Sequence, residues 1–67
     1  MAEIRVNGKS REVAGDVTVG GLLGELGLDA RWVIAELNGE PLSRDRFAAV
    51  RLSDGDRLEL VRAVAGG

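Results

Sequence analysis

Sixty-seven residues with ten Gly and no Cys, His or Tyr describe one small domain, since a chain this short buries only about 60% of its unfolded surface. The missing Cys and His exclude a thiolate nucleophile, a zinc finger, an iron–sulfur cluster, a Ser-His-Asp triad and an imidazole base, which argues against a self-sufficient enzyme. Nine Lys and Arg against eleven Asp and Glu, a net charge of -2, give no basic field for nucleic acid; no apolar run approaches the ~20 residues of a membrane span, and the charged opening is no signal-peptide core, so a cytoplasmic chain is expected.

Residues 3–6 alternate polar and apolar, Asn7-Gly8 follows, and Lys9–Val13 alternates again. Asn-Gly suits a two-residue hairpin turn because both central residues need positive φ. The register then sets Val6 opposite Lys9, Ile4 opposite Arg11 and Ala2 opposite Val13, all on the core side. Arg11 is the odd member, and its stem is expected along the core edge with the guanidinium in water. Thr18 reads as an N-cap before Val19, Leu22, Leu23 and Leu26, one apolar stripe at helical spacing, closed by Gly27. Gly20, Gly21 and Gly24 lie inside that helix and each costs about 1 kcal/mol relative to Ala, so the helix must be held by docking.

Residues 32–37 form a second strand-like run ended by Asn38-Gly39, and Pro41 bars an interior strand from continuing through it. Ser43 is a candidate cap for one helical turn over residues 44–47. Val50, Leu52 and the turn Asp54-Gly55-Asp56 lead to a last strand with Leu58 and Leu60 facing inward and Arg57, Glu59 and Val61 facing outward. Trp32 reads as a partly buried packing residue. The expected fold is α+β, a β-grasp roll of mixed sheet on one main helix, with the helix as the crossover that lets the last strand run parallel to the first. Residues 1–67 make a single domain, with a flexible Gly-Gly tail from about residue 63.

Two glycines stand last, with chance odds of about 2% at this composition, so a functional reading is worth setting beside a frayed end. A partner that draws such a tail into a narrow channel needs residues without Cβ where backbone meets reacting atoms. Parity adds a second feature. Ile34 shares its face with Glu36, and Val61 with Glu59, while Val33, Ala35, Leu37, Leu58 and Leu60 point inward. If the two strands are neighbours, Ile34 and Val61 make an exposed docking patch at the root of the tail.

Residues 4–8 (Ile-Arg-Val-Asn-Gly), Thr18-Val19 with Leu22, Leu23 and Leu26, residues 36–39 (Glu-Leu-Asn-Gly), Arg44, Asp54-Gly55-Asp56 and Val64-Ala65-Gly66-Gly67 together resemble the ThiS family, the small ubiquitin-like sulfur carriers of thiamine thiazole biosynthesis. The chain departs from the family pattern at Leu42-Ser43-Arg44, where Pro is shifted to position 41, and at Phe47 in place of Trp. The resemblance implies a protein cosubstrate that binds no cofactor itself. A ThiF-like adenylating enzyme would use ATP and Mg to activate the carboxylate of Gly67. A persulfide donor would convert the adenylate to a thiocarboxylate, and a ThiG-like thiazole synthase would accept the sulfur. Gly66, Ala65 and Val64 then become tail-recognition residues.

Three other readings stay open on sequence: a carrier for another acceptor such as molybdopterin or an amino acid, a ubiquitin-like modifier joined through Gly67, and an interaction domain with an incidental Gly-Gly end. The helix glycines lack both Gly-Lys-Ser/Thr and G-x-G-x-x-G, so close packing on the sheet is expected of them instead of a phosphate site. The aspartates around Gly55 read as a turn and not a calcium loop, and no metal ligands are assigned.

Overall fold

Asn7 and Gly8 both adopt positive φ, 51° and 82°, in the computed structural model, which describes residues 1–62. That turn folds β1 (Ala2–Val6) onto β2 (Lys9–Val13) with Ala2 opposite Val13, Ile4 opposite Arg11 and Val6 opposite Lys9, the register expected from alternation. The alternative slip would have turned Ser10 and Glu12 into the core. Arg11 is half-buried on the inner side. One of its terminal nitrogens lies 3.7 Å from Glu25, and its buried Nε has no hydrogen-bond partner.

The helix α1 (Val19–Glu25) begins where Thr18 accepts a hydrogen bond from the Gly21 N–H at 3.0 Å. It ends in a Schellman arrangement, with the Gly27 N–H on the Gly24 carbonyl and the Leu28 N–H on the Leu23 carbonyl. Gly27 takes the φ of 72° that this closure requires. Val19, Leu22 and Leu23 are fully buried and Leu26 is half-buried, so the apolar stripe is the side that docks. The helix glycines do not lie against the sheet as expected. Gly20 approaches the connection around Phe47, which joins two strands of the sheet, instead: its N–H bonds the Phe47 carbonyl at 2.8 Å, and a Cβ there would meet that oxygen at 3.4 Å. At Gly24 a Cβ would meet nothing within 4 Å.

After α1, Asp29 caps a 3-10 turn, Ala30–Trp32, and the chain enters β3 (Val33–Leu37). Trp32 therefore stands outside the strand, and it is 45% exposed. Asn38-Gly39 makes a second turn with both φ positive and leads into β4 (Glu40–Leu42), a short strand that sequence pattern did not reveal. Pro41 is tolerated there because β4 is at the sheet edge, where a missing N–H breaks no ladder on its outer side. Ser43 precedes the 3-10 turn Arg44–Arg46 but its side chain makes no capping bond. Arg44 does more: its guanidinium donates to the carbonyls of Ala30 and Arg31 at 2.9 and 3.0 Å, tying the two turns together. Phe47, just beyond, is buried in the core.

The last strand, β5 (Arg57–Arg62), completes a five-stranded sheet in the order β2-β1-β5-β3-β4. It runs parallel to β1 and antiparallel to β3, so α1 is the crossover between the parallel pair. Asp54-Gly55-Asp56 is a turn held from both sides. Asp54 accepts from the Glu3 N–H at 2.8 Å, and Asp56 accepts from the Ser53 N–H and the Asn38 amide. One core lies between sheet and helix, built from Ala2, Ile4, Val13, Val19, Leu22, Leu23, Val33, Ala35, Phe47, Leu52 and Leu58. Among the described residues no helix is long and apolar enough to cross a membrane.

Candidate functional site

The sheet has two faces because side chains alternate along every strand, and α1 covers only one of them. On β3 the outward residues are Ile34 and Glu36, and on β5 they are Arg57, Glu59 and Val61. The β3–β5 register sets Ile34 directly opposite Val61 and Glu36 directly opposite Glu59. Ile34 is 57% and Val61 58% exposed, so the two aliphatics expected to meet on the outer face do meet there, as one continuous apolar spot. Val61 is the residue before Arg62, where the described chain ends. Val64, Ala65, Gly66 and Gly67, the other residues singled out from the sequence, lie outside the described residues.

Two features of this surface escaped the sequence reading. The first is the pair Glu36 and Glu59, both exposed, set across from one another next to the apolar spot. Like charges directly opposite in a sheet are destabilising, and neither carboxylate has an ion-pair partner among the described residues. The pairing follows from register, which alternation within each strand does not supply.

The second is the side chain of Asn7. Its Oδ1 accepts from the Leu60 N–H at 2.7 Å and its Nδ2 donates to the Leu60 carbonyl at 3.1 Å. The backbone N–H of Asn7 also donates to the Leu58 carbonyl at 2.9 Å. β1 itself ends at Val6, opposite Leu58. Asn7 thus extends the pairing of β5 beyond the end of the neighbouring strand, using a side-chain amide where a backbone would otherwise serve. Sequence marked this residue only as a turn former. Around the same end of the sheet lies an open groove of about 350 Å³, lined by Val6, Leu26, Leu28, Val33, Leu60 and Arg62 among others.

Before β3, hydrogen bonds from the Arg31 side chain and backbone hold the Asp29 carboxyl down at about 2, and the same pairing raises the Arg31 guanidinium. That pair, 2.7 Å apart and exposed, belongs to the turn before β3 and not to the outer-face spot. No group of three or more metal-ligating side chains occurs among the described residues.

With this geometry in place, comparison with known proteins is decisive for kinship. Residues 4–67 match the ThiS family. The chain belongs to that family. It is 35% identical over 65 residues to the sulfur carrier protein ThiS of Bacillus subtilis, covering 96% of this chain and 98% of that one. The crystal structure of the thiamine biosynthesis protein ThiS from Geobacter metallireducens superposes with a TM-score of 0.82 at 40% identity, over 97% of this chain and 99% of the other. The ubiquitin-like β-grasp fold expected from the sequence is therefore the fold observed. A thiazole synthase of Paramagnetospirillum magneticum is 44% identical over 62 residues, 92% of this chain but only 19% of that protein. The chain thus spans about a fifth of that relative, in which a ThiS-family segment is part of a much longer polypeptide.

Proposed function

We propose that this chain is a sulfur carrier whose reactive group is the carboxylate of Gly67, activated by a separate ATP-dependent adenylating enzyme and serving a thiazole synthase. The observation that carries the reading is the full-length kinship with the Bacillus subtilis carrier. The thiazole synthase that contains a ThiS-family segment favours a thiazole synthase as the acceptor, since parts joined in one chain act on one another in others.

The chemistry suits a protein without Cys or His. A carboxylate is a poor electrophile until it carries a leaving group. Its oxygen attacks the α-phosphorus of ATP and pyrophosphate departs, with Mg and the nucleotide held by the partner. The terminal sulfur of a persulfide donor then attacks the acyl carbon and AMP departs, leaving an acyl disulfide. A thiol reductant supplies the electron pair that breaks the sulfur–sulfur bond and releases the thiocarboxylate. Gly66, Ala65 and Val64 are the residues a partner channel contacts, and Ile34 with Val61 is the spot the partner grips. A partner arginine or lysine over Glu36 and Glu59 relieves their mutual repulsion, which makes docking salt-dependent.

Deleting Gly67 tests the reading. The deletion is expected to abolish pyrophosphate exchange by the adenylating enzyme while leaving the thermal midpoint in place, because the core uses residues from Ala2 to Leu58. Exchange at the native rate without Gly67 contradicts it.

A further inference from the structure

The helix α1 is too short to cover the whole inner face of the sheet. Its seven residues span about 10 Å, against about 20 Å for the six of β5. The groove towards the end of β5 lies in the uncovered part. Four aliphatic side chains, Val6, Leu26, Leu28 and Leu60, pack on the core from one side and stay half-buried, and all four line that groove. A second hollow of about 270 Å³ shares Val6 and Leu26 with it and adds Lys9, Ser10 and Arg11.

The charge around these hollows is unlike that of the chain as a whole. The chain carries a net -2, yet the two linings hold three cations, Lys9, Arg11 and Arg62, and no carboxylate. Glu25 pairs with Arg11 from outside, at the long distance of 3.7 Å. Lys9 and Arg62 are exposed and have no ion-pair partner among the described residues. An apolar groove with a cationic rim is complementary to an aliphatic side chain flanked by carboxylates. Val61 lines the groove and also faces Ile34 on the outer face, so the apolar spot continues round β5 into the groove. One side of this continuous surface carries Glu36 and Glu59, and the other carries Lys9 and Arg62.

We propose that the groove is the second half of the surface gripped by the adenylating enzyme, and that it receives an acidic segment of that enzyme with an aliphatic side chain set among Val6, Leu26, Leu28 and Leu60. This rests on the carrier reading given above. Opposite signs on the two halves give the grip a direction, because a partner turned end for end would set base on base and acid on acid.

Lys9→Glu tests the groove without touching the core, since Lys9 is exposed and the thermal midpoint is expected to stay native. Arg51→Glu is the control. It makes the same change in net charge at an exposed residue paired with Thr18, at the opposite end of α1 from Leu26. At low ionic strength Lys9→Glu is expected to weaken binding to the adenylating enzyme about fivefold by titration calorimetry, with Lys9→Arg near native and Arg51→Glu within about twofold of native. Lys9 is the only lysine, so a carbodiimide cross-link from its amine to a carboxylate of the enzyme is assigned directly by peptide mass spectrometry. Native affinity in Lys9→Glu overturns the proposal, as does a loss that Arg51→Glu matches. Lys9 cross-links found only between two copies of this chain overturn it as well, and make the groove a self-association surface. A native chain that the adenylating enzyme neither binds nor activates overturns the carrier reading itself, whereas native binding indifferent to Lys9 overturns the groove alone.

Discussion

The inner and outer faces of the same sheet are built from the same five strands, yet they are opposite in character. Inward, Ile4, Val33, Ala35 and Leu58 are at most 3% exposed and meet Val19, Leu22 and Leu23 of the helix. Outward, Arg57 and Glu59 share β5 with Val61, and Glu36 shares β3 with Ile34. The difference teaches a division of labour: the inner face holds the fold, and, on the carrier reading proposed above, the outer face with Ile34 opposite Val61 and Glu36 opposite Glu59 receives a partner near the strand that leads to residues 63–67.

Substitutions that respect this division are expected to separate stability from binding. The largest effect belongs to the inner face. Leu22→Ala removes a side chain with no exposed surface and is expected to cost about 2–5 kcal/mol, read from urea denaturation. For a domain this small that is a large share of total stability. On the outer face, Val61→Glu is expected to change stability by no more than about 0.5 kcal/mol, as for an exposed site. It should nevertheless weaken docking to the adenylating enzyme about tenfold or more, measured by titration calorimetry, by setting a charge against a desolvated contact. Equal damage to stability and binding at Val61 would erase the distinction between the faces.

Two smaller effects sharpen the comparison from the side of the helix. Gly24 has open space around it and no positive φ, so Gly24→Ala is expected to stabilise by about 0.5–1 kcal/mol without touching docking. The last concerns pH. The Asp29 carboxyl is held at about 2, below its ordinary 3.8, by hydrogen bonds from Arg31. A depressed carboxyl contributes stability that is whole above its unfolded value and is lost as pH falls through its folded value. The contribution of this exposed pair is thus small, intact above about pH 4 and lost towards pH 2. Asp29→Asn keeps the cap acceptor, and its melting temperature is expected to lose that segment of acid dependence.

Much of this division was legible in the sequence, and what was missed has a physical reason. Alternation fixed which face each strand residue occupies, and the Asn7-Gly8 turn fixed the first register, so the hairpin, the core stripe and the pair Ile34 and Val61 could be read. The short strand around Pro41 could not, because three residues with a proline carry no period of their own; only the edge position next to β3 makes them a strand. The glycines of the helix were expected against the sheet, but Gly20 meets the Phe47 carbonyl on a connection whose path depends on tertiary packing. The Asn7–Leu60 clamp joins residues 53 apart, and a local pattern says nothing about a bond of that span. The site residues from Val64 to Gly67 rest on family kinship and on chemistry.

The central claim is that the fold exists to present one carboxylate, and intact mass spectrometry addresses it directly. The full chain is incubated with ATP, Mg, the adenylating enzyme, a persulfide donor and a thiol reductant. The account predicts a species in which one oxygen of Gly67 is replaced by sulfur. A chain that keeps its unmodified carboxylate under these conditions, or that gains sulfur anywhere other than Gly67, contradicts it.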